Sequence, residues 1–208
     1  GVDAAGTADL GNGRRGIWIL ASSCVIGGTD PGAGNVISGN DQYGVLILGG
    51  ATDNRIEGNL IGTNAAGTSA LGNAVHGVFV SRSPGNTVGG LEPGAGNVIS
   101  GNDQYGVSIF GSESTGNVVA GNHVGTNEAG TAAIANGVMG VRVEEAASNT
   151  IGGTVALARN VVSGNVGTGI DINLGDPITL IQGNWVGTDR TGTLDLGNGG
   201  RGIFLFHG

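Results

Sequence analysis

Apolar and polar residues alternate along the chain in short runs, and one kind of run regularly follows a glycine. The pattern Gly-φ-x-φ, in which φ is an aliphatic residue, occurs seven times. Its glycines are Gly16, Gly44, Gly77, Gly106, Gly140, Gly169 and Gly202. A period of two is typical of a strand with one buried face and not of an amphipathic helix. We therefore expect seven equivalent strands, spaced by 28 to 34 residues.

Other landmarks recur with the same spacing, in which short and long intervals alternate. The stretch PGAGNVISGNDQYGV occurs at 31–45 and again at 93–107, which gives a super-repeat of about 62 residues. Each interval holds three short apolar runs separated by Gly, Asn and Asp. This predicts one coil of a solenoid with three strands, each paired in parallel with its counterpart in the next coil. Six coil intervals would give a rod roughly 29 Å long.

Asparagine recurs at equivalent turns of the predicted coils. Asn tolerates the left-handed conformation that a tight turn needs, and stacked amides can hydrogen-bond along a rod. We predict one structural ladder from the Asn of the Gly-Asn pairs: Asn40, Asn59, Asn102, Asn122, Asn165 and Asn184. Cys24 stands where the equivalent turns have Asn, and as the single cysteine it cannot form an internal disulfide.

Composition narrows the choice of partners. The chain has 46 Gly in 208 residues, which argues against long helices, and 16 acidic residues against 8 Arg and no Lys. A net charge of −8 argues against a nucleic-acid partner and against an anionic membrane surface. No apolar stretch is long enough to span a membrane, and we expect neither membrane insertion nor a cofactor.

The repeats resemble those of bacterial right-handed parallel β-helix proteins, the pectate-lyase-like solenoids found in large secreted and cell-surface repeat proteins. The resemblance rests on NVISGN, GVxI and the long GT…GT…LGN loops, and it covers essentially the whole chain. It implies an all-β right-handed parallel β-helix with three strands per coil and about six to seven coils. It also implies an extracellular or cell-surface location, but no particular activity, because this architecture hosts lyases, hydrolases, epimerases, adhesins and inert stalks.

We expect residues 1–208 to form a single β-helix domain. Residues 1–22 match residues 187–208, and neither end shows the polar cap that a solenoid usually needs. The chain is therefore interpreted as a fragment of a longer rod, or as a subunit that stacks end to end.

The x positions of the seven strands should point outward and carry an apolar strip. Its members are Trp18, Leu20, Leu46, Leu48, Phe79, Phe110, Phe204 and Phe206. An exposed apolar strip marks a contact surface. Three interpretations stay open: a loop or flanking segment covers the strip, the strip is a protein or self-association interface, or its aromatic faces stack on sugars.

Arg142, Glu144 and Asp171 are the charged residues of the same outward columns, on adjacent rungs. They are weak candidates for catalysis on a polysaccharide, since a hydrolase needs two carboxylates and a lyase needs a base. A cross-strand ion pair between Arg142 and Asp171 is the simpler interpretation. Enzymatic activity therefore stays uncertain and is not favoured.

The long loops raise the question of a metal. They place carboxylates at Asp3, Asp9, Asp189 and Asp195, a weak alternative site for a cation. The middle copies have Asn64 and Ala70, then Asn127 and Ala133, so an ion needed in every loop is not expected. Turn formation by Asp explains the pattern without a metal.

The sequence thus favours a non-enzymatic secreted or cell-surface scaffold, adhesive or filament-forming. Self-association or end-to-end stacking is the expected partnership. The alternative is a polysaccharide-binding module, or a polysaccharide lyase or hydrolase that acts on the outer face of the first strand column.

Overall fold

The computed structural model describes residues 1–174 and 179–207, and within these ranges the chain forms nineteen short strands. The seven Gly-φ-x-φ runs form one parallel sheet, here called sheet I. Its strands are β1 (Ile17–Ile19), β4 (Val45–Leu48), β7 (Val78–Ser81), β10 (Tyr105–Phe110), β13 (Met139–Glu144), β16 (Ile170–Leu174) and β19 (Ile203–His207). Each strand pairs with the equivalent strand of the next coil, as the repeat predicts.

Two further parallel sheets have six strands each, and every complete coil contributes one strand to each of the three sheets. Sheet II contains β2 (Val25–Gly27), β5 (Arg55–Glu57), β8 (Thr87–Gly89), β11 (Val118–Ala120), β14 (Thr150–Gly152) and β17 (Leu180–Gln182). Sheet III contains β3 (Val36–Ile37), β6 (Leu60–Ile61), β9 (Val98–Ile99), β12 (His123–Val124), β15 (Val161–Val162) and β18 (Trp185–Val186). The predicted all-β parallel solenoid, with three strands per coil and about six turns, is confirmed.

Helical structure contributes almost nothing to the described part of the chain. A single 3-10 turn spans Ala156–Ala158. No helix in the described residues has the length and hydropathy needed to cross a membrane.

The core is a set of aliphatic columns that run along the inside of the rod. In sheet I the two φ positions are almost completely buried, from Val45 and Ile47 in β4 to Ile170 and Ile172 in β16. Each such side chain contributes roughly 1.5–3 kcal/mol by leaving water. A lone coil has no partner for these side chains, so the core forms only when coils stack.

Asparagine side chains stack at all three corners of the coil, as three hydrogen-bonded ladders. Ladder A lies between sheets III and I and has amide-to-carbonyl distances of 2.6 to 3.0 Å. Its members are Asn12, Asn40, Asn73, Asn102, Asn136, Asn165 and Asn198. Ladder B lies between sheets II and III with distances of 2.8 to 3.1 Å. Its members are Asn35, Asn59, Asn97, Asn122, Asn160 and Asn184.

The single ladder predicted from the Gly-Asn pairs is therefore divided between two corners. Asn40, Asn102 and Asn165 belong to ladder A, whereas Asn59, Asn122 and Asn184 belong to ladder B. The reason is that each coil uses a Gly-Asn or equivalent turn at more than one corner, so the dipeptide alone does not identify the corner.

A third ladder, ladder C, lies between sheets I and II and consists of Asn54, Asn86, Asn117 and Asn149. Cys24 occupies the next position of this ladder, where its backbone N–H donates to the side-chain oxygen of Asn54 at 2.9 Å. The backbone therefore turns at Cys24 as it does at an asparagine of this corner.

Long and short corners alternate, which explains the super-repeat of two coils. The first, third and fifth coils make their long excursion between sheets II and III, at 28–35, 90–97 and 153–160. The second, fourth and sixth coils make theirs between sheets III and I, at 62–77, 125–138 and 187–202. Each excursion of the second set covers the short turn of the preceding coil, as when Gly101 N–H donates to the carbonyl of Ile134.

Candidate functional site: the outer face of sheet I

Two outward columns of side chains run along sheet I in the predicted register. Column 1 contains Trp18, Leu46, Phe79, Ser108, Arg142, Asp171 and Phe204, each paired with the next. Column 2 contains Leu48, Ser81, Phe110, Glu144, Asn173 and Phe206 in the same way. Leu20 lies just beyond the end of β1.

Exposure along these columns is uneven, so the apolar residues do not form one continuous exposed strip. Trp18, Leu20 and Phe206 are exposed by 53%, 59% and 50% of their surface. In contrast, Leu46 is only 3% exposed, and Leu48, Phe79, Phe110 and Phe204 are half-buried. The expectation of a uniformly exposed strip is therefore wrong at its centre.

An aromatic cluster of Tyr43, His76, Phe79 and Tyr105 covers the centre of the face. The His76 ring stacks on Tyr105 with 4.6 Å between ring centroids and an interplanar angle of 22°. Phe79 contacts Tyr43 and His76 at centroid distances of 5.2 and 5.3 Å. The rings come from consecutive coils and form a band beside column 1, which shields Leu46 from water.

Three of the four residues of this cluster, Tyr43, His76 and Tyr105, share one position, immediately before the glycine of each sheet I strand. That position holds Arg15, Tyr43, His76, Tyr105, Met139, Thr168 and Arg201. The equivalence of Tyr43, His76 and Tyr105 is visible in the sequence and indicates a packing role. Only the structure shows that these side chains turn onto the outer face and reduce its exposed apolar area.

His76 is held neutral inside the aromatic cluster. Burial lowers its pKa to about 4, and the nearby positive charge of Arg142 adds to that effect. Among the described residues its Nδ1 has no hydrogen-bond partner. Its closest ring contacts are aromatic, so the side chain acts as a flat packing group at neutral pH.

Arg142 and Glu144 form the ion pair of this face. Arg142 donates from Nε and from one terminal nitrogen to the two carboxylate oxygens of Glu144, at 3.1 and 2.7 Å. The predicted pair between Arg142 and Asp171 is not what forms. Residues i and i+2 of one strand share a face, which lets the guanidinium fork meet the carboxylate with two parallel bonds. The guanidinium also lies 5.5 Å from the Tyr105 ring centroid.

Asp171 stands directly beside Arg142 in the sheet, yet no side-chain hydrogen bond to it is found among the described residues. The side chain is only 7% exposed. Burial raises its pKa; the Glu144 charge adds to this, whereas Arg142 and Arg201 oppose it. Asp171 is thus a buried carboxyl with a raised pKa that lies next to an ion pair.

The two ends of the face carry the same arrangement of an arginine over an aromatic ring. Arg15 lies 4.6 Å from the Trp18 ring centroid, and Arg201 lies 4.4 Å from that of Phe204. The Phe204 and Phe206 rings stack at 6.3 Å. Since these ends are three super-repeats apart, the face has similar chemistry at both ends and a charged patch between them.

The carboxylates of the long loops accept hydrogen bonds from backbone N–H groups of the same loop. Asp3 accepts from the N–H groups of Thr7 and Ala8, and Asp189 accepts from the N–H groups of Thr193 and Leu194. These bonds, with the Thr191 hydroxyl as the largest cause at Asp189, lower the pKa of Asp189 to about 2. The pKa of Asp3 is lowered in the same way.

The middle copies of the loop show that an amide performs the same task. Asn64 and Asn127 accept the same two loop N–H groups through their side-chain oxygens. Asp9 and Asp195 each accept one N–H, from Gly11 and Gly197. Within residues 1–174 and 179–207 no group of three or more potential metal ligands is found. Turn formation accounts for these four carboxylates.

Comparison with known proteins provides no evidence about the activity of this chain. No family model matches the chain, and no curated protein matches it. Among solved structures, the chain is similar to the periplasmic alginate epimerase AlgG, with 19% sequence identity and a TM-score of 0.45. The alignment covers 93% of this chain and 45% of that protein, so the chain spans less than half of its length. A likeness of this degree carries no argument about activity.

Proposed function

We propose that the chain is a non-enzymatic scaffold of a secreted or surface-displayed rod, and that it self-associates through the outer face of sheet I. One observation carries the proposal: large aromatic side chains remain exposed at both ends of this face, whereas Arg142 and Glu144 neutralise each other between those ends. Exposed apolar surface of this kind marks a contact face.

The arrangement of the face suits a second copy of the same chain. In a two-fold contact both copies use the same face, so that residue i of one copy meets residue j of the other and j meets i. If two rods pack face to face and end for end, Trp18 of one copy lies near Phe204 and Phe206 of the other. Burying the exposed halves of Trp18 and Phe206 would each contribute about 2 kcal/mol, at about 25 cal/mol per Å².

Sedimentation of a double variant tests this proposal. Trp18→Ser with Phe206→Ser removes the exposed aromatics without touching the aromatic cluster or the core. The dissociation constant of the self-association should rise at least about a hundredfold. Leu10→Ser with Leu194→Ser is the matched control, because both leucines are exposed, by 68% and 56%, but lie in the long loops. A monomeric parent chain, or a double variant that associates like the parent, would refute self-association.

A second candidate function is action on an acidic polysaccharide at the same face. The observation that favours it is Asp171, a buried carboxyl whose raised pKa suits a general acid, beside the guanidinium of Arg142. Glu144 is the only other carboxylate of the two columns, and Arg142 holds it in place.

Incubation with pectin and with alginate separates the two functions. The scaffold proposal expects neither new reducing ends nor the ultraviolet absorbance of an unsaturated uronate. Sustained turnover that disappears in Asp171→Asn, while the variant keeps the melting temperature of the parent, would establish an enzyme and overturn the scaffold.

A further inference from the structure

A groove with a volume of about 510 Å³ lies on the outer face of sheet II, away from the site described above. Its floor is the outward column of the sheet, with Thr87, Val118 and Thr150 in register on consecutive coils. All three side chains are half-buried. The volume falls within the range of about 300–1,000 Å³ that is usual for small-molecule sites.

The alternation of long and short corners creates the groove. The excursions at 90–97 and 153–160 rise on either side of the fourth coil, whose corner between sheets II and III is short. Leu91 and Val155 line the groove from these excursions and are 55% and 54% exposed. The walls therefore offer aliphatic surface to an occupant, and that surface is still in contact with water.

One end of the groove is acidic. Glu57 lines it and is only 8% exposed, with a carboxylate oxygen 3.2 Å from Nε of Arg55. The exposed Glu92 stands on the adjoining excursion. Two carboxylates against one guanidinium leave this end with a net negative charge, and the chain as a whole carries −8.

The solenoid itself does not require a carboxylate at position 57. The same column reads Gly27, Glu57, Gly89, Ala120, Gly152 and Gln182. Its glycines are needed, because Gly89 has φ +86° and a Cβ there would meet the carbonyl oxygen of Ala120. In the second, fourth and sixth coils the corner between sheets II and III is short, and this position does not need glycine. It is occupied there by Glu57, Ala120 and Gln182. Glu57 is therefore a local feature of the groove and not part of the repeat.

We propose that this groove binds a small amphiphilic cation, with an aliphatic or aromatic body and one ammonium group. The body packs between Leu91, Val155 and the floor, where it displaces water from apolar surface. The ammonium lies at the acidic end and donates charge-assisted hydrogen bonds to Glu57 and Glu92. The proposal uses a different sheet from the self-association face and does not depend on it.

Isothermal titration with two matched probes tests the proposal. Phenethylamine carries the ammonium, and 3-phenylpropionate carries a carboxylate on a similar body. Phenethylamine should bind and the carboxylate should not. Glu57→Gln keeps the size of the side chain and should weaken phenethylamine binding by about tenfold.

A second variant blocks the groove without touching the core. Val118→Trp fills the floor from an outward, half-buried position and should abolish binding. Val36→Trp, at an outward half-buried position of sheet III, is the matched control and should leave binding unchanged. Equal binding of both probes, no binding of phenethylamine, or full binding in Val118→Trp would each overturn the proposal.

Discussion

Inward and outward residues alternate along each strand of sheet I, and the two sets differ in how much they vary from coil to coil. The inward columns are nearly uniform, with Val or Ile in almost every coil and exposures close to zero from β4 to β16. The outward columns change from Trp to Leu, Phe, Ser, Arg and Asp within seven rungs. The inward positions meet the same environment in each coil, so repetition there reflects packing. The outward positions are free of that constraint, and their differences are where specific contacts can arise.

The largest effect that tests this contrast comes from neighbouring positions of β10. Ile109→Ala opens a cavity between coils and should lower the free energy of unfolding by about 2–5 kcal/mol. Ser108→Ala changes the adjacent outward residue, which is 4% exposed. It removes only a hydroxyl group and should alter the free energy of unfolding by less than about 1.5 kcal/mol. Denaturant titration of both variants checks the difference. Equal losses would mean that the two faces of the strand are not distinct in energy.

A pH experiment isolates the aromatic cluster on the outer face. Because burial lowers the pKa of His76 to about 4 from an unfolded value near 6.5, the unfolded chain binds the proton first as pH falls. Stability should therefore decrease from about pH 6.5 to about pH 4, by up to about 3 kcal/mol from this group.

Comparison with His76→Tyr assigns that pH dependence, since tyrosine occupies the same position in the neighbouring coils. The variant should lose the part of the slope that belongs to His76, as measured by thermal unfolding at several pH values. Asp171, with its raised pKa, acts in the opposite direction, so the difference between the two proteins is the quantity to compare. An identical slope in both would contradict a neutral buried histidine.

The smallest effect concerns the ion pair of the face. Arg142 is 19% and Glu144 is 32% exposed at the side chain, so the pair is partly solvated. Glu144→Gln should cost less than about 1 kcal/mol, and added salt should reduce that cost further. A double-mutant cycle with Arg142→Gln measures the coupling. A coupling between Arg142 and Asp171 that exceeds the one with Glu144 would contradict the observed pairing.

Sheet II contains a second ion pair between residues i and i+2 of one strand. Arg55 and Glu57 stand two residues apart on β5 and form an ion pair, as Arg142 and Glu144 do on β13. In both strands the partner is the next outward residue of the same strand. A prediction based on adjacent rungs, such as Arg142 with Asp171, overlooks that a long flexible side chain can turn along its own strand and pair with the residue two positions away.

The sequence by itself determined the strands, their parallel pairing and the register of the outward columns. The physical reason is that a period of two, repeated at coil spacing, leaves one arrangement in which stacked coils bury both φ positions of the inner strands. Tertiary structure alone decided the rest: the division of the asparagines between two ladders, the aromatic cluster that covers Leu46, the partner of Arg142 and the groove on sheet II. These features depend on the corner at which the chain turns and on the direction of each side chain, and a repeat pattern specifies neither.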